Sequence, residues 1–210
     1  MEQGVNGLEN KRLSGFKDSV DYYNENAAAF IDASISADVS ELYEPFERRL
    51  SLGCKILDLG CGSGRDSRYF VGKGYDVIAI DPSEAMCKQT KSIAQIPVFQ
   101  MRAEELQFND EFDGVWACAS LLHVPKDTQL DTLRRIGNAL KRGGICYCSW
   151  KYGNSERSVE GRHFTDFTVE TFRDLLKKAT MFEEVEVWTT HDVRKDRQDQ
   201  KWLNALMRKK

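Results

Sequence analysis

Ile56-Leu57-Asp58-Leu59-Gly60-Cys61-Gly62-Ser63-Gly64-Arg65 decides how this chain is read. Residues 56–59 form a short apolar run broken only by Asp58, and three glycines at alternate positions precede a helical pattern that starts at Asp66. This is a buried strand entering a glycine turn. Glycine permits positive φ and carries no Cβ, so such a turn brings bare peptide N–H groups and a helix N-terminus against a ligand.

A strand, a glycine turn, a helix and an acidic residue closing the next strand are shared by dinucleotide-binding and S-adenosylmethionine-binding folds. The dinucleotide spacing Gly-x-Gly-x-x-Gly requires glycine at position 65, where this chain has Arg65, and the third glycine falls one residue early at Gly64. Asp58 adds a carboxylate beside the turn. That charge repels a pyrophosphate and tolerates an ammonium or sulfonium. A nicotinamide oxidoreductase is therefore disfavoured. With Asp58, Gly60, Gly62 and Gly64 at the matching positions, the run resembles motif I of the class I S-adenosylmethionine-dependent methyltransferases.

Outward from the turn, apolar runs at 76–80, 97–101, 114–119 and 145–150 alternate with helical patterns at 66–71, 83–92 and 126–140. Strands separated by helices argue a parallel sheet with right-handed crossovers. After Trp150 a polar loop over 151–166 leads to a helix at 168–178, and 182–190 and 200–208 read as strands with no helix between them, hence antiparallel. This order matches the fold that the resemblance implies: an α/β, Rossmann-like methyltransferase, with a seven-stranded, mostly parallel sheet, an antiparallel C-terminal strand and helices on both faces.

The 210 residues suffice for one sizeable core, and 41% hydrophobic with 30% charged residues is ordinary globular composition. Residues 1–18 are read as a flexible arm and 19–210 as one domain, with 19–50 a helical cap over the ligand site in which Pro45 marks a kink or restart. No apolar run reaches membrane-spanning length and the start lacks a signal-peptide pattern, so a cytoplasmic protein is expected, monomer or homodimer. The six cysteines have no Cys-x-x-Cys spacing and read as reduced thiols, with no metal site. A net charge of −3 without a long basic run argues against nucleic acid as partner.

Asp81 closes the second strand, 17 residues after Gly64, where a carboxylate accepts from both ribose hydroxyls; the alternative is a helix N-cap. The resemblance implies S-adenosylmethionine as cofactor and S-adenosylhomocysteine as product. It assigns Cys61 to the turn, Pro82 and Met86 to the flanks of the adenine, and Ala103 with Glu104 to the ring edge, although Arg102 stands where relatives carry aspartate. The stretch from Ala117 to Pro125 ends the fourth strand and lacks the Asn/Asp-Pro-Pro-Tyr/Phe quartet of base-amino methylation, which favours small-molecule chemistry. His123 is a candidate general base, or a loop residue capping the next helix; His163 and Asp166 are further candidates to prepare the nucleophile. Tyr22 and Tyr23 belong to the N-terminal segment, and a tyrosine face suits a sulfonium. We assign Tyr23 to the cofactor and Tyr22 to the acceptor. Tyr152, Arg157, Arg162 and Arg194 are candidate acceptor contacts, because arginine forks suit a carboxylate or phosphate; solvated pairing with neighbouring acids is the alternative.

Tyr-Tyr-Asn-Glu-Asn-Ala at 22–27, Leu-Leu-His-Val-Pro at 121–125 and Gly-Arg-His-Phe-Thr-Asp at 161–166 are similar to small bacterial methyltransferases of unassigned substrate. Arg65 and the chain length more weakly resemble tellurite-resistance-type and thiopurine-type enzymes. The expected activity is methyl transfer to a small molecule, with a non-catalytic cofactor-binding module or an RNA-modifying enzyme as alternatives.

Overall fold

The computed structural model describes residues 18–194 and 197–210. The expected N-terminal arm lies outside them except for Asp18. Strand β1 (Lys55–Leu59) pairs in parallel with β2 (Asp76–Asp81) on one side and β4 (Phe112–Ala117) on the other. Beyond β2 lies β3 (Val98–Gln100), and beyond β4 lie β5 (Leu140–Lys151), β9 (Lys201–Lys209) and β8 (Phe182–His191), giving the order β3-β2-β1-β4-β5-β9-β8. Strand β9 runs antiparallel to both neighbours, from Ile145↔Arg208 to Lys151↔Trp202 against β5. The strand order reverses between β1 and β4, so the loops leaving them diverge and open a crevice at their carboxyl ends.

Alternation along β1 sends successive side chains to opposite faces of the sheet. Leu57 and Leu59 join a core with Trp150, Phe172 and Leu203, covered by α6 (Gln129–Ala139) and α7 (Val169–Lys178). Ile56 joins Trp116, Tyr147 and Leu206 on the other face, where α3 (Ser40–Glu47) and α4 (Arg65–Gly72) supply Tyr43, Phe46 and Phe70. Each large apolar side chain buried in this way contributes roughly 1.5–3 kcal/mol. Trp116 stacks on Tyr147 at 4.0 Å between ring centroids, which fixes the end of β4 next to the glycine turn.

One local expectation, the loop over 151–166, is corrected, and two others become specific. The N-terminal segment forms two helices, α1 (Ser19–Glu25) and α2 (Ala27–Ser34), and Asp18 is the cap, its Oδ1 accepting the N–H groups of Val20 and Asp21. Pro45 sits inside α3, which continues to Glu47. The loop expected over 151–166 contains a hairpin, β6 (Glu156–Val159) and β7 (Arg162–Thr165), joined by Glu160 and Gly161, both at positive φ. Positive φ at both turn residues is the geometry that matches strand twist in a two-residue hairpin.

Helices α1 and α2 contain no fully buried residue. Polar contacts tie α1 down: Asp18 pairs with Arg102 at 2.6 Å, Ser19 Oγ accepts the His163 N–H at 3.0 Å, and Asn24 Oδ1 accepts the Ser83 hydroxyl at 2.7 Å. Helix α5 (Glu84–Ala94) starts at that serine, whose hydroxyl also accepts the Met86 N–H. Among the described residues, no helix is long and apolar enough to cross a membrane.

Candidate active site

Two cavities meet at the carboxyl end of β1. The smaller, about 360 Å³, lies among the turn, the end of β2, the residues after β3 and helix α1. Gly60 holds φ +78° there, and a Cβ on it would stand 2.1 Å from Ser120 Oγ. A Cβ on Gly62 would meet the Phe30 ring at 3.3 Å. A side chain at Gly60 would collide with the loop after β4, and one at Gly62 would press on α2. Gly64 lines neither cavity; it leads into α4 and packs against Thr90.

Asp81 lines the smaller cavity with 8% of its surface exposed. Its Oδ2 accepts the Gly62 N–H at 3.0 Å and its Oδ1 the Ser83 N–H at 2.8 Å. Burial pushes its pKa up to about 6, and the two amide bonds oppose that shift. A carboxylate has about four acceptor sites, so each oxygen keeps one for a ligand hydroxyl. Pro82, Met86, Ala103 and Glu104 also line this cavity, as do Met101 and Arg102. The donor and acceptor set fits an adenosine: a carboxylate for the ribose, a thioether and proline at the ring, and a glycine cradle leading away from it.

Asp58 and Ala117 line neither cavity. The Asp58 carboxylate is buried beneath α4, accepts the Ser67 hydroxyl at 2.5 Å, and has its pKa raised by burial and by the nearby Asp66. Burial alone would raise Asp66 too, but the Arg65 guanidinium grips it through bonds of 2.6 and 2.9 Å and holds its pKa low. Tyr43 and Trp116 donate to the same carboxylate, at 2.6 and 2.9 Å. The residue that breaks the dinucleotide spacing therefore neutralises a buried acid at the start of α4.

The larger cavity, about 990 Å³, extends from the turn under α1 and α2 to the hairpin and the ends of β8 and β9. Tyr22, Cys61, Arg65, Arg162 and Arg194 line it, with Lys151, Phe164, Asp192, Trp202 and Asn204. Tyr23, Phe30, Gly60, Gly62, Ala119 and His123 line both cavities and form their junction. Tyr23 and Phe30 meet edge to face at 4.9 Å between centroids. The negative face of either ring can attract a cation at that junction.

His123 sits on a short helical turn (Leu121–His123) after β4. Its Nδ1 lies 2.6 Å from the His163 carbonyl, which can only accept, so the proton is on Nδ1. Nε2 is then the acceptor of the Tyr23 hydroxyl at 2.8 Å. Burial lowers the His123 pKa to about 4, against the opposing effect of the His163 carbonyl and with help from the nearby Arg162 and Lys151 charges. Burial likewise pushes Tyr23 up to about 12, so both groups are neutral near pH 7.

His163 lines the smaller cavity, and its Nε2 lies 3.1 Å from both Thr165 Oγ1 and Glu156 Oε1. Asp166 lines neither cavity, since its Oδ2 is taken by the Ser155 hydroxyl and by Arg157. Arg157 and Tyr152 also stand outside both cavities. Arg194 reaches the larger one with its fork closed on Asp192 through bonds of 2.9 and 2.6 Å. Sequence reasoning did not assign Phe30, Ala119 or Lys151 to the site. Phe30 shares a helical face with the tyrosine pair and Lys151 ends the fifth strand, so both had a positional signal.

Residues 56–144 match the family model described as a methyltransferase domain. Over 97 residues the chain is 35% identical to a tRNA U34 carboxymethyltransferase of Mannheimia succiniciproducens, covering 42% of this chain and 30% of that protein. Over 98 residues it is 32% identical to the putative methyltransferase YqeM of Bacillus subtilis, covering 43% of this chain and 40% of that one. The chain thus spans less than half the length of these relatives. Among solved structures, the 1,6-didemethyltoxoflavin-N1-methyltransferase of Burkholderia thailandensis, with bound 1,6-didemethyltoxoflavin and S-adenosylhomocysteine, superposes with a TM-score of 0.73 at 22% identity. That superposition covers 90% of this chain and 84% of that one. Residues 56–144, which hold the glycine turn and the central strands, are thus a methyltransferase domain by this match, and the sheet as a whole has the Rossmann-like methyltransferase fold.

Proposed function

We propose that the chain transfers the methyl group of S-adenosylmethionine to a small molecule held in the larger cavity. The observation that carries this reading is the junction: an adenosine-sized cavity with Asp81 at its wall opens at Tyr23, Phe30 and His123 into a second, larger one. Bound there, the cofactor supplies a methyl group already activated by the positive charge on sulfur. The chain aligns the acceptor with that methyl group and excludes water, and proximity of this kind can supply about 7–11 kcal/mol of the barrier.

Asp81 and the turn amides hold the adenosine end. Tyr23 and Phe30 give the sulfonium an aromatic wall and shield it beneath α1 and α2. His123 is neutral and its one Nε2 lone pair is taken by the Tyr23 hydroxyl, so the Tyr23 oxygen is the atom that can accept a hydrogen bond from the acceptor's nucleophile. His163 fixes the His123 tautomer through its carbonyl and acts as a positioning residue. Asp166, bound to Ser155 and Arg157, clamps the hairpin in this reading.

The tRNA-modifying relative favours a second reading, an RNA acceptor. Net charge −3 and the partial coverage of that relative favour the small molecule. Methyl-labelled cofactor incubated with panels of carboxylic acids, phenols, amines and thiols, and separately with bulk tRNA, distinguishes them. Label on a small molecule supports the first reading; label on tRNA, with affinity falling steeply in salt, replaces it with the second. Cofactor binding with no labelled product of either kind leaves a non-catalytic binding module.

A further inference from the structure

Phe164 on β7 is surrounded by three cations. Lys151 Nζ stands 4.2 Å from its ring centroid, and the guanidinium carbons of Arg157 and Arg162 each stand 5.4 Å away. Their availability differs. Arg157 is locked on Asp166 and Ser155, outside both cavities. Arg162 lies 4.1 Å over the Tyr22 ring, and one arm of its fork reaches Glu160 at 2.9 Å, while its Nε is buried with no hydrogen-bond partner. Lys151 Nζ has no hydrogen bond and no salt bridge among the described residues; burial and the neighbouring guanidinium groups lower its pKa, against the attraction of the Asp166 carboxylate that Arg157 holds. An ammonium held against a ring beside like charges is short of an acceptor.

Lys151 and Arg162 both line the larger cavity and not the smaller. Two other arginine forks in that cavity, Arg65 and Arg194, are already closed on Asp66 and Asp192. We infer that Lys151 and Arg162 form an oxyanion subsite, and that the small-molecule acceptor carries a carboxylate or phosphate which they hold over Phe164. This rests on the methyl-transfer reading for the identity of the ligand as an acceptor. The subsite itself stands on the unpaired Lys151 ammonium and on the Arg162 guanidinium beside it across Phe164.

The test titrates benzoate, phenyl phosphate and benzamide into the full chain, with and without saturating S-adenosylhomocysteine, by calorimetry. The anions are expected to bind about tenfold more tightly than benzamide, because charge-assisted hydrogen bonds are the strong ones and tenfold is their modest share. Lys151→Met and Arg162→Gln should each remove most of that preference, and the better of the two anions names the oxyanion. Benzamide binding as well as the anions, anions that do not bind, or a preference that survives both substitutions would overturn the subsite. If the chain binds no S-adenosylhomocysteine, the methyl-transfer reading fails separately, and the charge preference is still read in the cofactor-free titrations.

Discussion

The Tyr23 hydroxyl and His123 Nε2, 100 residues apart in sequence, are joined by a 2.8 Å hydrogen bond that links helix α1 to the loop after β4. Because the His163 carbonyl fixes the proton on Nδ1, Nε2 has one available role, as acceptor. The bond closes the lid at the point where the two cavities meet.

Tyr23→Phe keeps the ring and removes this bond. One net hydrogen bond is about 1 kcal/mol, so S-adenosylhomocysteine affinity should fall about fivefold. The melting temperature should change little, since α1 contains no fully buried residue. Calorimetry and a thermal melt check both parts; an unchanged affinity would mean that the lid is held without Tyr23.

Asp81 makes ligand binding depend on pH. Its carboxyl titrates near 6 in the free protein because it is buried, and ribose hydroxyls prefer its ionised form. Lowering the pH from 7.5 to 5 should therefore weaken S-adenosylhomocysteine binding about tenfold, and Asp81→Asn should bind weakly with no such slope. A flat wild-type profile over this range would remove Asp81 from the ribose.

His123 makes stability fall as the pH falls, whereas the raised pKa of Asp81 makes its own contribution to stability grow. Unfolded, a histidine takes a proton near its ordinary pKa of about 6.5. Folded, burial keeps His123 neutral down to about 4. Between these values the unfolded chain binds more protons, so this group's contribution to stability is present at neutral pH and is lost as the pH falls through the window. His123→Gln, which retains hydrogen-bonding capacity, should melt closer to wild type at pH 4.5 than at pH 7.5. Comparing the two proteins cancels the opposite contribution of Asp81. A constant difference between them across this range would show that His123 is not buried neutral.

Gly60→Ala should be costly on two counts. The left-handed conformation at φ +78° costs a non-glycine residue roughly 1–2 kcal/mol, and the new methyl would overlap Ser120 Oγ. Ser120→Gly in the same chain relieves the overlap and leaves the backbone cost, so the double variant should recover part of the lost melting temperature. No recovery would place the whole cost in the backbone.

The glycine turn, Asp81 and the alternation of strands and helices were legible because each has a local signature: positive φ, a strand-end carboxylate, and apolar periodicity. So was the antiparallel β9, since no helix fits between it and β8. The hairpin β6–β7 was not. Its strands, Glu-Arg-Ser-Val and Arg-His-Phe-Thr, are mostly polar, and its turn is Glu160-Gly161 in place of the usual Asn-Gly. Which basic side chain is left without a counterion was also hidden, because it depends on contacts made in the fold. Arg157 is claimed by Asp166 and Arg194 by Asp192, while Lys151, unremarkable in sequence, is left against Phe164. Asp58 fits the motif but lies beneath α4, a matter of which face of β1 it occupies.

If the two joined cavities hold S-adenosylmethionine and a small acceptor, calorimetric titration with S-adenosylhomocysteine should show saturable binding of one molecule per chain, strongly weakened in Asp81→Ala, and titration with NAD should show none. Saturable binding of NAD with none of S-adenosylhomocysteine would mean that the cavities belong to a different cofactor.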